Sequence, residues 1–404
     1  VKKHKARNSM KKSLILSILM LLAVSNAFAT NGMRMIGFGP VQDSMGGASV
    51  GVNLDAASVL TNPAGIQALG GRVDFGASYF VPEVTLEMMG SEFTSDKGAS
   101  PVPAFGMIVP LNEDMSFGLG AYGVSGMGVD YNLGAMGGLL STNYTNMRFA
   151  PGFSYKLSNM ISLGATLNMM YATMEYSMAN DAMPPYDGNP DMRAVNMAAS
   201  SFGYGATIGI TVKPVEMLSI GLVYETTSKF QDFEFNQSDS SSVTSTTDNS
   251  LAFDQPMNAT IGFGLKPVAG LVLAFDVQWI RWSEVAGDDL PEFTGGNFNM
   301  QWEDQIVYKF GFQYTILPIL NIRGGVNYGK MPLSESNDAA LQANMFFPAV
   351  AEWHYTAGLG VKLNEKLTLD LGYMYSPEAS VKTYGGGESK MTQYSLDMGI
   401  AYNF

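Results

Sequence analysis

The chain has 404 residues and no cysteine, with 45 glycines, 11 % aromatic residues and a formal net charge of −13. Charged residues make up only 15 %, against roughly 25 % in a soluble domain, yet no apolar stretch reaches the ~18 residues of a membrane-spanning helix. A polytopic helical membrane protein, a collagen, a coiled coil and a disordered tail are excluded, as are disulfide staples and thiolate metal sites.

Residues 1–29 have the form of a secretory signal peptide. Lys2, Lys3, Lys5, Arg7, Lys11 and Lys12 precede the apolar run Leu14 to Val24, and Ala27-Phe28-Ala29 supplies a small-residue cleavage site. Their removal moves the net charge from −13 to −19, because they carry six basic and no acidic residues. So acidic a chain lacks the basic stripe that displaces counterions from phosphates, and nucleic acid is not an expected partner.

Residues 30–70 show no period of two. They are punctuated by Gly37-Phe38-Gly39-Pro40, Met45-Gly46-Gly47-Ala48 and Thr61-Asn62-Pro63-Ala64-Gly65. The run after Asp55 predicts a short helix capped by Asp55. Pro63 interrupts that helix, and Asn62 before it is pushed toward an extended conformation. The segment is too apolar for a solvated tail and too short for a domain.

From residue 71 onward about ten residues alternate between apolar and small or polar, then turn, and the pattern recurs. One strand (Arg72–Val81), six hairpins and a last strand (Met391–Phe404) give fourteen, an even number. The hairpins turn at Asn112-Glu113-Asp114, Leu157-Ser158-Asn159, Lys213 to Glu216, Lys266 to Ala269, Ile316 to Pro318 and Leu363-Asn364-Glu365. In the last strand Tyr394, Leu396, Met398, Ile400, Tyr402 and Phe404 share one parity. Gln393, Ser395, Asp397, Gly399, Ala401 and Asn403 share the other. The second face is small and polar, not richly charged, and aromatics gather near strand ends. This predicts an all-β, 14-stranded antiparallel transmembrane barrel, greasy face to lipid, with short periplasmic turns. Closure also removes every edge strand from lipid. Long outer loops are expected near 82–102, 126–146, 177–199, 231–254, 283–302, 331–351 and 377–390, the Ser/Thr/Asp-rich Ser238–Ser250 among them. Residues 30–70 are then most economically housed inside the barrel.

The third strand breaks its own pattern. Phe117 and Leu119 set the apolar face on odd positions, Tyr122 and Val124 on even ones, and Gly118, Gly120, Gly123, Gly126 and Gly128 crowd the stretch. A parity change needs an extra residue, so a bulge or inward kink is predicted between Leu119 and Gly126. A looser, glycine-rich strand end is the alternative.

The chain resembles the FadL/TodX-type outer-membrane transporters of hydrophobic compounds. The resemblance rests on Met45-Gly46-Gly47-Ala48, Asp55-Ala56 and Thr61-Asn62-Pro63-Ala64-Gly65 just ahead of the first strand. Ser201-Phe202-Gly203-Tyr204-Gly205, Lys213-Pro214 and Leu218 to Tyr224 add to it. It spans essentially the whole chain after residue 29, with Asn62, Pro63 and Ala64 as its most position-specific motif. It implies an N-terminal hatch (residues 30–70) plugging a barrel (residues 71–404). It also implies passive uptake of long-chain fatty acids or hydrocarbons, and lateral exit into the membrane, for which the kinked third strand is the candidate.

An apolar ligand would sit among Met33, Met35, Ile36 and Phe38 of the hatch and Met127, Met136, Leu139, Leu140 and Met183 of the loops. Plug-to-wall packing explains the same residues. With 28 methionines in the chain, flexible thioethers suit varied ligand shapes. Arg148, Lys309 and Arg323 lie on the inward parity and could meet a carboxylate, Lys309 and Arg323 as the best pair. Asp276, Asp370, Asp397 and Glu225 share that parity and could neutralise them. Beyond residue 29 there is one histidine, His354, and no Ser-His-acid spacing. An enzyme, such as a barrel-borne lipid hydrolase, is therefore poorly supported, and no cofactor or metal is expected. A general aqueous porin is the principal rival. Outer-membrane lipid is the expected surrounding and a monomer the expected state, in the outer membrane of a Gram-negative bacterium.

Overall fold

The computed structural model of the chain describes residues 31–134, 138–179, 194–236, 238–239, 248–285 and 300–404. Fourteen antiparallel strands follow one another round a closed barrel. They are β1 (Arg72–Met88), β2 (Ser100–Pro110), β3 (Met115–Met127), β4 (Leu139–Lys156), β5 (Ile161–Ala179), β6 (Ala194–Val215) and β7 (Leu218–Glu225), then β8 (Asn258–Leu265), β9 (Leu271–Ile280), β10 (Gln305–Leu317), β11 (Leu320–Gly329), β12 (Trp353–Lys362), β13 (Leu367–Thr383) and β14 (Gly387–Asn403). The ends of the sheet meet, because β1 pairs with β14 from Arg72↔Asn403 to Glu87↔Glu388. No helix among the described residues is long and apolar enough to cross a membrane.

The two parities separate as the alternation requires. Phe75, Phe153, Leu167, Phe202, Phe310, Leu371 and Met398 are exposed on the outside, whereas Ser154, Thr166, Thr207, Asp276, Asp370 and Asp397 are buried within. An inside-out core of this kind is stable only with lipid as the outer solvent. The short turns close locally. Asn112 Oδ1 accepts from the Asp114 and Met115 amides at 2.9 and 2.8 Å, and Asn364 Oδ1 from those of Lys366 and Leu367 at 2.9 and 3.0 Å.

The opposite rim departs from expectation. Residues 82–88, 139–146, 177–179, 194–199, 377–383 and 387–390, read as loop, are strand. Neighbouring strands keep one another's backbone groups satisfied there, so the ladder continues after the greasy alternation fades. Short strands Phe233–Asn236 and Asp248–Leu251 pair with each other; residues 240–247 of the predicted polar loop lie outside the described residues. Helix α3 (Asp338–Phe346) caps this rim, with Asn337 Oδ1 accepting the Ala340 amide at 2.9 Å.

Between Asn31 and Gly70 the chain forms α1 (Pro40–Asp43), α2 (Ser58–Thr61) and a 3-10 turn (Pro63–Leu69). Asn62 is extended, at φ −153° and ψ 90°. The capping expectation for Asp55 is corrected. No side chain caps α2, and Asp55 Oδ1 instead accepts from Gln42 Nε2 at 3.0 Å, the nearer donor inside the folded segment.

Candidate functional site

Residues 31–66 are nearly all buried, and their partners are inward-facing wall groups. Asp276 Oδ2 accepts the Ser49 and Val50 amides at 2.8 and 2.9 Å; Thr356 Oγ1 accepts the Gly46 amide at 2.9 Å. Asn62 Nδ2 donates to the Val50 carbonyl at 2.8 Å and to Thr211 Oγ1 at 3.1 Å, while its Oδ1 accepts the Ala64 amide at 3.2 Å. Ser154 and Thr166 hydroxyls donate to the Ala64 and Val59 carbonyls at 3.0 and 2.9 Å. The motif Asn62, Pro63, Ala64 is thus a clamp between segment and wall.

Wall glycines explain why the inner face is so small. A Cβ on Gly221 would collide with the Val50 carbonyl, one on Gly164 with Pro63 and Ala64, and one on Gly311 with Met45. Conversely Gly46, at φ +62°, would place a Cβ 2.8 Å from the Val326 backbone. Backbone therefore lies on backbone. A cavity that remains, lined by Arg34, Ile36, Glu225, Asp276 and Lys309, holds about 30 Å³, room for a single water.

The wall itself breaks beside this segment. Strand β3 pairs with β2 only as far as Ala104↔Tyr122. On its other side β3 stays paired with β4 to Met127↔Tyr144, with a register shift between Gly123 and Ser125 that leaves Val124 extra. The side abandoned by β2 is taken by the N-terminal segment. Met35 N donates to the Val124 carbonyl at 3.1 Å and Gly126 N to the Met33 carbonyl at 3.0 Å, bracketing a bridge between Arg34 and Ser125. Of the predicted kink glycines, Gly123 and Gly126 lie in this stretch. Gly118 and Gly120 do not; both remain paired on both sides and make room for Val59 and Leu60. Tyr122 also corrects the predicted parity. It stays inward, its ring 6.2 Å from that of Phe38, because the small neighbours Gly106 and Gly120 leave space for it.

Two apolar clusters meet at this point. One, on the outer side, gathers Met33, Met127, Leu140, Tyr144, Phe233, Phe253, Trp282, Trp302 and Phe347. Trp282 and Trp302 stack edge to face at 5.1 Å, as do Tyr144 and Phe253 at 5.2 Å. Gly32, at φ +65°, passes beneath Trp282 where a Cβ would fall 2.8 Å from the indole. The other cluster gathers Met35, Ile36, Phe38, Val102, Tyr122 and Val124. Successive residues of the segment thus belong to different clusters, Met33 to the first and Met35 to the second. Leu139 joins neither. It is 46 % exposed, since its neighbour Leu140 takes the inward side of β4. Met136 and Met183 lie outside the described residues.

Arg34 marks the boundary between the clusters. Its Nη2 and Nη1 donate to Glu225 Oε2 and Oε1 at 2.7 and 3.2 Å, and Arg148 Nη2 donates to the same Oε1. Two guanidiniums thus converge on one carboxylate, and Arg148 Nε and Nη1 have no hydrogen-bond partner among the described residues. Lys309 and Arg323 are not brought together. Lys309 Nζ donates to the Ile36 carbonyl at 2.9 Å, whereas Arg323 donates to Asp370 and Gln313 at 2.7 Å each. Their register explains it, for Lys309 faces Asn327 and Arg323 faces Gln313, at different heights of the β10–β11 ladder. Sequence reasoning missed Arg34, Val102 and the aromatic members of the outer cluster. Pro101 and Pro103, which cannot donate to a ladder, were the available signal for an unpaired edge. His354 is buried with Nε2 2.9 Å from Gln393 Nε2, and no cluster of metal-ligating side chains occurs among the described residues.

Comparison with known proteins agrees with this architecture. The toluene transporter TodX of P. putida superposes with a TM-score of 0.72 at 18 % identity, over 91 % of this chain and 99 % of that one. A FadL homologue of Pseudomonas aeruginosa gives 0.73 at 16 % identity, over 92 % and 100 %. The toluene transporter TbuX of Ralstonia pickettii gives 0.70 at 16 %, over 91 % and 99 %. No curated protein sequence matches. The family model for outer membrane protein transport proteins (OMPP1/FadL/TodX) matches residues 16–400. With a closed barrel, fourteen strands and that match over nearly its whole length, the chain belongs to the OMPP1/FadL/TodX family of outer-membrane transport proteins, which are transporters and not enzymes.

Proposed function

We propose that the protein takes up hydrophobic molecules passively, long-chain fatty acids or hydrocarbons, through a plugged barrel with lateral exit beside the kinked β3. The observation that carries this reading is the unpaired stretch between β2 and β3, lying against an apolar cluster that Met35, Ile36 and Phe38 share with the wall. A solute of this class dissolves poorly in the aqueous exterior. The outer cluster offers a dry site in place of water, at roughly 25 cal/mol per Å² of apolar surface buried. From Met33 the solute passes Arg34 to reach Met35, Val102 and Val124 at the seam. A wall gap there delivers it to acyl chains without a periplasmic step, so neither ATP nor an ion gradient is needed.

The ligand's shape follows from the lining. Aromatic side chains and methionines suit either an acyl tail or an arene, and the neighbours TodX and TbuX are described as toluene transporters. Arg148, buried with two nitrogens unpartnered among the described residues, favours a carboxylate head where one is present; Lys309 and Arg323 contribute field rather than contact. We read residues 1–29 as a cleaved signal peptide, residues 30–70 as the plug, and the working unit as a monomer in outer-membrane lipid.

Proteoliposomes containing the purified protein test this. Labelled oleate or toluene should enter faster than into protein-free vesicles, while sugars should cause no swelling. Swelling with sugars and unchanged oleate and toluene entry would instead assign an aqueous porin.

A further inference from the structure

The seam between β2 and β3 has a construction that the bulge alone does not require. Strand β2 runs Ser100-Pro101-Val102-Pro103 along it, fully paired with β1 from Tyr79↔Pro101 to Ala77↔Pro103, and unpaired with β3. Neither proline has an N–H to offer β3. The inward residue between them, Val102, is 4 % exposed and packs in the cluster of Met35, Phe38 and Val124. Its Cγ1 lies 2.6 Å from where a Cβ on Gly123 would stand, with Pro103 Cδ at 3.6 Å. Across the break in the hydrogen-bond ladder, the isopropyl group of Val102 on β2 is thus seated over Gly123 of β3.

We propose that Val102 is the specificity-determining gate of the seam, its side chain setting the cross-section of the solute that leaves, while Pro101 and Pro103 keep the strands from zipping together. This rests on the lateral-exit reading. Between β2 and β3 no ladder hydrogen bond facing lipid has to break beyond Ala104↔Tyr122, the backbone bonds of β3 on this side going to Met33 and Met35 of the N-terminal segment. A valine displaced by a rotation about χ1 gives up only dispersion contacts, and those are replaced by the passing ligand. The glycine opposite supplies the recess, so widening or filling that recess should change size selectivity and leave ligand binding in the outer cluster alone.

Val102→Ala, Val102→Phe and a deletion of Val124 are compared in proteoliposomes, with oleate as the narrow probe and pyrenedecanoate as the bulky one. Folding is read from heat-modifiable gel mobility and binding from equilibrium oleate titration. Val102→Ala should raise pyrenedecanoate entry about tenfold and oleate entry by less than about twofold, and Val102→Phe should slow both by about tenfold or more with oleate affinity unchanged. If Val102→Ala leaves the ratio of the two rates at the wild-type value while the Val124 deletion stops both, lateral exit stands and Val102 is not its gate. If the deletion also changes nothing, lateral exit fails and takes the gate with it. Should Val102→Phe not fold, the Val102→Ala ratio decides alone; should the Val124 deletion not fold, deletion of Ser125 replaces it.

Discussion

Replacing Glu225 by Gln removes the single carboxylate shared by Arg34 and Arg148 without changing its size. At an effective dielectric near 20, an ion pair with charge centres about 4 Å apart is worth about 4 kcal/mol. Two such pairs converge here, offset by repulsion between the guanidiniums. Breaking a buried pair by deleting one partner typically costs about 3–5 kcal/mol, because the surviving charge stays desolvated. No ladder hydrogen bond runs through the Glu225 side chain, and Arg148 is fixed on β4 by its own pairing with Tyr122 and Met170, so the loss is expressed in what Arg34 tethers. That is residues 31–35, held to the wall by the Met35–Val124 and Gly126–Met33 hydrogen bonds, each worth about 1 kcal/mol. A local opening made easier by about 3 kcal/mol is about two orders of magnitude more frequent. Hydrogen exchange by mass spectrometry, on peptides covering 31–36 and 122–128, should show that loss of protection with the rest of β3 unaffected. The apolar triple variant Arg34→Met, Arg148→Met, Glu225→Leu should retain protection, since it leaves no charge uncompensated. Protection in Glu225→Gln equal to wild type would refute the tether.

Three further outcomes follow from named contacts. Gly221→Ala drives a methyl into the Val50 carbonyl and should destabilise the refolded protein to urea by about 1–3 kcal/mol, the usual range for overpacking. Trp282→Ala removes a fully buried wall of the outer cluster; oleate affinity should fall by about tenfold or more, read by equilibrium titration, with thermal stability reduced as well. Lys97, in the loop before β2, donates to the Thr142 carbonyl of β4 at 3.0 Å, and burial, opposed by Glu175 and Asp130, holds its ammonium down to about 8. The unfolded chain then binds the extra proton between about 8 and the ordinary lysine range. Loop docking should strengthen as pH rises through that window, seen as slower proteolysis of the outer loops, and Lys97→Met should abolish the dependence.

The barrel was legible because lipid imposes a local rule. Leu367, Leu369, Leu371, Tyr373 and Tyr375 can be assigned to one face without knowing what they touch, and all but Leu367 are more than a third exposed on the outer wall. The rule stops where lipid stops, which is why Glu83 to Glu87 and Thr142 to Asn146 read as loop in the sequence although their ladders continue. The interior follows no comparable rule. The inward cations could be found from parity, but not their partners, since Arg34 meets Glu225 across 191 residues of sequence. Tyr122 illustrates the same limit from the other side. An aromatic residue on a strand is ordinarily lipid-facing, and only the space left by Gly106 and Gly120 turns it inward.

The glycine contacts also bear on assembly. A cork can be pushed into a finished bottle neck, because it touches the glass only through a compressible skin. Between Met45 and Ala64 the segment has little such skin, its main chain lying against glycines of β5, β7, β8, β10 and β11. The fit is that of a mandrel, a rod on which a hoop is bent to its final diameter, since the segment's main chain and the inward glycines of the wall are cut to one circumference.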